Sequence, residues 1–273
     1  MTPVKDKELT EHMSKLLDMF TSARRAQSGS GMGFLGKNRS ETKPRAAALV
    51  VELPTADAGS AESAIKAGAD GLLFTWDGKD TEWLDTLKSV TEAAKASNES
   101  VVCGLHITGG WKTLERENLE QLKDQGISYV VLPFQAPASL LALHIKDVDL
   151  VVTVPMREGD MYPIFIRNLT AFDTIAAVQL DFGLANEAGK LTIEDVLQYR
   201  AVREAVRYPA LLNVKAGMSE ADAYTLTTLG VQAVVLTASD TDTKTRQQIK
   251  ALRELLEKVH QDDKDSKTPS LKP

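Results

Sequence analysis

Short apolar, β-branched runs recur along the chain, separated by amphipathic or polar stretches. The runs are Ala47–Leu53, Gly71–Trp76, Val101–Ile107, Tyr129–Phe134, Leu150–Val154, Ile175–Phe182, Ala210–Val214 and Ala233–Thr237. Their length and residue types predict buried strands. The intervening stretches are long enough for helices, most clearly at Thr81–Ala96, Leu114–Gln125, Ile193–Arg207 and Thr243–His260. Ahead of the first strand, Leu9, Met13, Leu16, Leu17 and Phe20 share one helical face, which predicts an extra N-terminal helix over 6–26.

Eight consecutive strand–helix units point to an α/β fold, a single closed (β/α)8 barrel of the TIM type, rather than to a doubly wound sheet of about five or six strands. A repeated joint supports this. Lys66-Ala-Gly-Ala-Asp-Gly-Leu-Leu-Phe74, Asp124-Gln-Gly-Ile-Ser-Tyr-Val-Val-Leu132 and Thr228-Leu-Gly-Val-Gln-Ala-Val-Val-Leu236 each read as a helix end, a glycine that ends it, and a strand. The expected division is 1–45 for the helix and a glycine-rich loop, 46–260 for the barrel, and 261–273 for a charged, proline-containing tail without periodicity, read as disordered.

The chain length of 273 residues suits a barrel of this kind, which typically needs about 250. Net charge of −6 argues against nucleic acid, which needs a basic stripe, but leaves room for a small anionic metabolite. Cys103 is the only cysteine, which excludes an intrachain disulfide and a cysteine zinc cluster. The first residues carry charges with no apolar run behind them, and no stretch approaches the roughly 20 apolar residues of a membrane span. The expectation is a soluble, cytoplasmic protein, without membrane or nucleic-acid partner, with a homodimer as one option and the oligomeric state otherwise open.

Gly31-Met-Gly-Phe-Leu-Gly-Lys37 matches G-x-G-x-x-G and nearly matches a phosphate-binding loop. Both patterns work only between a strand and a helix, where backbone N–H groups face phosphate. Here a helix precedes the motif and Lys43-Pro44 follows it, and Asn38 replaces the magnesium-binding hydroxyl. The segment reads as a linker, with a lid over the barrel as the alternative.

In a barrel, alternate residues of each strand face the lumen, and active sites sit at the C-terminal strand ends. One parity is polar there in all eight strands: Glu52; Thr75 and Asp77; His106 and Thr108; Gln135 after Pro133; Thr153 and, beyond Pro155, Arg157; Gln179 and Asp181; Asn213 and Lys215; Thr237 and Ser239. The other parity is apolar. Burying so many polar groups without a ligand or water is costly, so the pattern marks a functional cavity. Lys215 suits imine formation, proton transfer or anion binding, against a structural ion pair with Glu52 or Asp181. Glu52, Asp181 and His106 are the acid/base candidates, each also readable as a loop cap or a satisfied core group. Thr75, Asp77, Gln135, Thr153, Arg157, Gln179, Asn213 and Thr237 are substrate-binding candidates. Arg157 is the anion clamp, or a solvated loop arginine. Trp76 and Trp111 read as packing. No metal site is assigned; a carboxylate site for Mg²⁺ from Glu52, Asp77 or Asp181 is the alternative.

The segment from Asn213 to Ser239, with Gly217, Asp222-Ala223, Leu226, Gly230 and Ser239, resembles the last third of phosphate-binding TIM barrels. That superfamily includes aldolase-like lyases, ribulose-phosphate-type isomerases, and flavin enzymes like IMP dehydrogenase and nitronate monooxygenase. The resemblance implies phosphate binding by Gly217, Ser219 and Ser239. Ala216 and Ala238 depart from it, since they replace glycines that let backbone approach phosphate closely. Three functions follow. The first is an aldolase- or lyase-like enzyme acting on a small carbonyl metabolite with a carboxylate or phosphate. The second is an FMN-dependent oxidoreductase, with Lys215 beside the flavin. The third is a non-catalytic barrel serving binding or assembly. The cofactor is unassigned, with none, FMN or Mg²⁺ as the options.

Overall fold

The computed structural model describes residues 14–25, 43–79, 81–111, 114, 116–142, 145–157, 159, 161–182, 192–214, 216–238 and 243–267. Eight parallel strands, β1 Ala48–Leu53, β2 Gly71–Trp76, β3 Val102–Ile107, β4 Tyr129–Leu132, β5 Asp149–Pro155, β6 Ile175–Asp181, β7 Ala210–Val214 and β8 Ala233–Thr237, close into a barrel in chain order. The closing pair runs from Ala48 beside Ala233 to Glu52 beside Thr237. The expected fold class is therefore correct, with each strand near its predicted place.

The helices are α1 Lys15–Arg24, α2 Ala58–Ala67, α3 Thr81–Ser97, α4 Arg116–Leu122, α5 Tyr162–Ile166, α6 Ile193–Val206, α7 Glu220–Leu229 and α8 Thr243–Lys267. Glycines of the repeated joint end their helices as expected: Gly68 and Gly230 have φ of 114° and 67°, a region that L side chains avoid. Between β4 and β5 the chain forms a 3-10 turn, Ala138–Ala142, in place of a full helix. Pro137 stands at the start of this turn, where its missing N–H costs no hydrogen bond.

Two boundaries differ from the sequence reading. α8 runs into the first part of the expected tail, as far as Lys267, and residues 268–273 lie outside the described residues. Tyr224 of α7 donates a hydrogen bond to Asp262, and Lys258 pairs with Glu220, so contacts with α7 reach along α8 as far as Asp262. At the other terminus, α1 begins at Lys15 with Ser14 as its cap, while residues 6–13 of the expected helix, with Leu9 and Met13, lie outside the described residues, as does the glycine-rich motif 31–37.

The core has two shells. The larger lies between the outward faces of the strands and the helices, and includes Leu49, Val51, Leu72, Phe74, Cys103, Leu105, Val178 and Leu180. The smaller fills the lower lumen with Ala48, Val50, Leu73, Val102, Tyr129, Val131, Val151, Ala177, Leu211, Ala233 and Val235, and α1 plugs it from below with Leu16, Met19, Phe20 and Ala23. Asp149, at the start of β5, bonds to Ser14 and to the Leu16 N–H, which anchors the positive end of α1. Beside the plug, the buried Arg45 pairs with Asp70, whose other oxygen accepts from the Leu49 N–H, and Arg253 of α8 stands 3.8 Å from the same carboxylate. Burial lowers the Arg45 pKa, and Asp70 works against that shift. With α1 closing the lower lumen, the polar strand-end residues lie at the other end of it.

Candidate functional site

The lumen parity read from the sequence is the observed one, and the strand register turns it into layers. Glu52 is registered with Leu73, and Leu73 with Gly104. In a barrel of shear 8 each second strand rises by two residues, so the layer of Glu52 holds His106 rather than Gly104. Following the register through Val131, Val151, Gln179 and Leu211 adds Thr153 and Asn213 to that layer. Four odd strands thus bring an acid, an imidazole, a hydroxyl and an amide to one level. Thr75, Asp181 and Thr237 belong to the even-strand layer above, and Gln179 to the one below.

Glu52 is the hub. Its Oε1 lies 3.0 Å from His106 Nδ1 and accepts from Thr75 Oγ1 at 3.4 Å, while its Oε2 accepts from Thr237 Oγ1 at 2.7 Å. The residue is only 8% exposed. Burial opposes its charge, but the hydrogen bonds from His106, Thr237 and Thr75 and the charge interaction with His106 prevail, and the carboxyl is held below its ordinary 4.5. An ionised carboxylate only accepts, so His106 carries its proton on Nδ1 when neutral. Among the described residues nothing bonds to Nε2, which leaves that nitrogen for a ligand.

Across the lumen, Gln179 Nε2 donates to Asn213 Oδ1 at 2.6 Å. Gln179 Oε1, Thr153 Oγ1 and the Tyr129 hydroxyl are buried without a partner among the described residues. Such groups each cost about 1–3 kcal/mol unless water or a ligand bonds to them. Tyr129 was not among the sequence candidates, although it shares the parity of Val131 and Pro133. Its ring lies over Gly104, where a Cβ would come within 2.2 Å of it. That glycine exists to admit the ring into the lumen.

Other candidates are placed apart from this cluster. Asp181 is exposed at the end of β6. Asp77 folds back to accept the Lys79 N–H at 3.0 Å. Gln135 is exposed in the β4–β5 connection. Arg157 is exposed, its guanidinium 5.7 Å above the Phe134 ring, and Phe134 in turn meets Phe165 edge-on at 6.3 Å. Among the described residues Arg157 has no carboxylate partner. No three His, Cys, Asp or Glu residues converge on one point among the described residues, so Glu52, Asp77 and Asp181 are not gathered as a Mg²⁺ site would need.

At the phosphate motif, Gly217 has φ of 80° and open space around it. Ser219 caps α7: its hydroxyl accepts the Asp222 N–H at 3.2 Å and bonds to the Asp222 carboxylate. The Ala238 N–H donates to Glu52 O at 2.9 Å and extends the β1–β8 ladder. A donor at the place where the resembled barrels hold phosphate is therefore engaged in the sheet. Lys215 and Ser239 lie outside the described residues.

No protein-family model matches the chain, and no curated protein matches it. Solved structures do match. Thiamine phosphate pyrophosphorylase from Pyrococcus furiosus superposes with a TM-score of 0.55 at 13% identity over 79% of this chain and 98% of that one. Tryptophan synthase from M. tuberculosis, in its aminoacrylate-bound form, gives 0.56 at 15% identity over 90% and 99%. The YdjI aldolase from Escherichia coli K12 gives 0.51 at 15% identity over 78% and 90%. At these identities the likeness is one of fold. It agrees with the TIM-barrel fold expected from the sequence, with no specific family assigned.

No helix is long and apolar enough to cross a membrane among the described residues. The mouth combines an oriented imidazole, an ionised carboxylate and a set of buried amides and hydroxyls. Such a set can move a proton at a carbon or oxygen held beside His106 Nε2.

Proposed function

We propose that the protein is a lyase-like enzyme that moves protons on a small carbonyl metabolite bearing a carboxylate or phosphate, at the C-terminal mouth of its barrel. The observation that carries this reading is the 3.0 Å contact between His106 Nδ1 and Glu52 Oε1, which fixes the imidazole and leaves Nε2 to act as base and then acid. Thr153, Gln179 and Asn213 bind the substrate's hydroxyl or carbonyl oxygen, with Gln179 Oε1 requiring a donor and the Thr153 hydroxyl able to supply one. Arg157 binds the anionic end, since its guanidinium has no carboxylate partner among the described residues. Lys215, next in the chain after β7, is assigned to imine formation with the carbonyl: the amine adds, water leaves, and the imine acidifies the neighbouring carbon.

The test is solvent exchange. Small 2-oxo acids and hydroxy-carbonyl phosphates are incubated with the protein in D2O, and deuterium uptake beside the carbonyl is followed by NMR. Uptake that is lost in His106→Gln supports the reading. Uptake retained in that variant, or absent with every compound of both classes, contradicts it. Borohydride trapping tests the imine separately: no adduct on Lys215 removes the imine step and leaves the acid/base pair.

A further inference from the structure

We propose that the opposite, N-terminal end of the barrel carries a second site, for a multiply charged oxyanion of the phosphate or pyrophosphate class, in the cleft between α6 and α7. The cleft has a volume of about 570 Å³ and is lined by Arg200, Arg203, Arg207, Glu204 and the Thr228–Gly230 turn. Three guanidinium groups thus face one carboxylate, in a protein whose net charge is −6. Arg24, from the end of the α1 plug, adds its positive charge to the field at Arg203.

The backbone gathers these side chains. Arg24 Nη2 donates to Val231 O at 2.9 Å, Arg203 Nη2 to Gly230 O at 3.3 Å, and Arg200 Nη1 to Thr228 O at 3.3 Å. These carbonyls lie at the negative end of α7, which accounts for the arginines being drawn there. It does not account for the donors left over. A guanidinium has five N–H groups. Among the described residues Arg203 uses Nη2 alone, and its Nε is buried with no partner. Arg200 has one weak ion pair, with Glu204 at 3.4 Å. Arg207 makes no hydrogen bond or ion pair among the described residues, and it ends α6 with φ of 57°, a conformation that a non-glycine residue rarely adopts. Two cationic forks held by fixed carbonyls, with the unpaired Arg207 beside them and several N–H groups unused, match an oxyanion with several acceptor oxygens. Burial lowers the Arg203 pKa, Glu204 opposes that and Arg24 adds to it; an anion in the cleft would act in the same direction as Glu204.

The site is independent of the mouth, so its test does not depend on the proposed catalysis. Inorganic pyrophosphate, with inorganic phosphate alongside, is titrated into the full chain by calorimetry at constant ionic strength. Arg207→Asn suits the left-handed cap and removes the charge without a packing cost, and Arg200→Gln changes a half-exposed side chain. Circular dichroism checks that both remain folded. The expected result is saturable binding of pyrophosphate, about tenfold weaker in each arginine variant, in line with the loss of a charge-assisted hydrogen bond, and unchanged in His106→Gln. Three results would overturn the site: no saturable binding at about 1 mM ligand, affinity unchanged when both arginines are replaced, or binding lost in His106→Gln but kept in the arginine variants.

Discussion

His106 Nδ1 and Glu52 Oε1 meet at 3.0 Å although β2 stands between their strands. The barrel's shear produces the contact, because the two residues share a layer of the lumen. Replacing Glu52 with Gln keeps the shape but puts an amide where the imidazole needs an ionised acceptor. Turnover in the exchange assay should fall about 10²–10⁴-fold in His106→Gln, the range for removing a positioned acid or base. The fall in Glu52→Gln should be smaller, since that residue acts through the imidazole. Rates for the two variants, and for the pair combined, check this: the double variant should lose little more than His106→Gln alone.

Glu52 also ties stability to pH. Its carboxyl is held below the ordinary 4.5 in the folded state. A depressed carboxyl contributes stability above the unfolded value and loses it as pH falls through the folded one. Urea unfolding between pH 7 and pH 3 should show the wild type losing stability below about pH 4.5, with a shallower loss in Glu52→Gln. Parallel curves for the two proteins would mean that Glu52 is not held ionised by its neighbours.

Tyr129 and Gly104 are expected to behave as one unit. A Cβ at Gly104 would stand 2.2 Å from the Tyr129 ring, so Gly104→Ala should cost about 1–3 kcal/mol or more. Tyr129→Phe removes a buried hydroxyl that has no partner, and it should be neutral or stabilising by about 1 kcal/mol. Combining Gly104→Ala with Tyr129→Leu should recover part of the first loss. Denaturation midpoints for the set measure the coupling.

The sealed base gives another expectation. Asp70→Asn would leave Arg45, only 5% exposed, with its partner neutralised, and should cost about 3–5 kcal/mol. Arg253→Gln should cost less, because Arg253 stands further from Asp70 and keeps company with Glu257. Thermal unfolding of both variants orders the two effects.

Much of this arrangement was legible in the chain because a strand has a period of two. The alternation that marks Glu52, Thr75, His106, Thr153, Gln179, Asn213 and Thr237 as lumen residues needs no tertiary information. The same alternation also marked Tyr129, whose aromatic ring reads as packing until Gly104 is seen beneath it. What the pattern lacks is height. Gln135 shares the parity but lies beyond the end of β4, and Asp181 shares the layer of Thr75 and Thr237 but stands on β6, whereas β2 and β8 flank β1 and reach Glu52. The end of α8 was missed because charged residues hide a helix that contacts with α7 stabilise. The arginines of α6 look like an ordinary solvated face in sequence; their convergence needs the turn after α7, which lies far along the chain.

The most direct measurement is the tautomer of His106, read from the 15N chemical shifts of its imidazole by long-range proton–nitrogen correlation at a pH where the ring is neutral. With only four histidines in the chain, His106→Gln assigns the signal. A ring protonated at Nδ1 and bare at Nε2, reverting to a mixture in Glu52→Gln, is the outcome that an oriented base requires. A ring protonated at Nε2 in the wild type would mean that Glu52 does not hold it, and the mouth would lose its base.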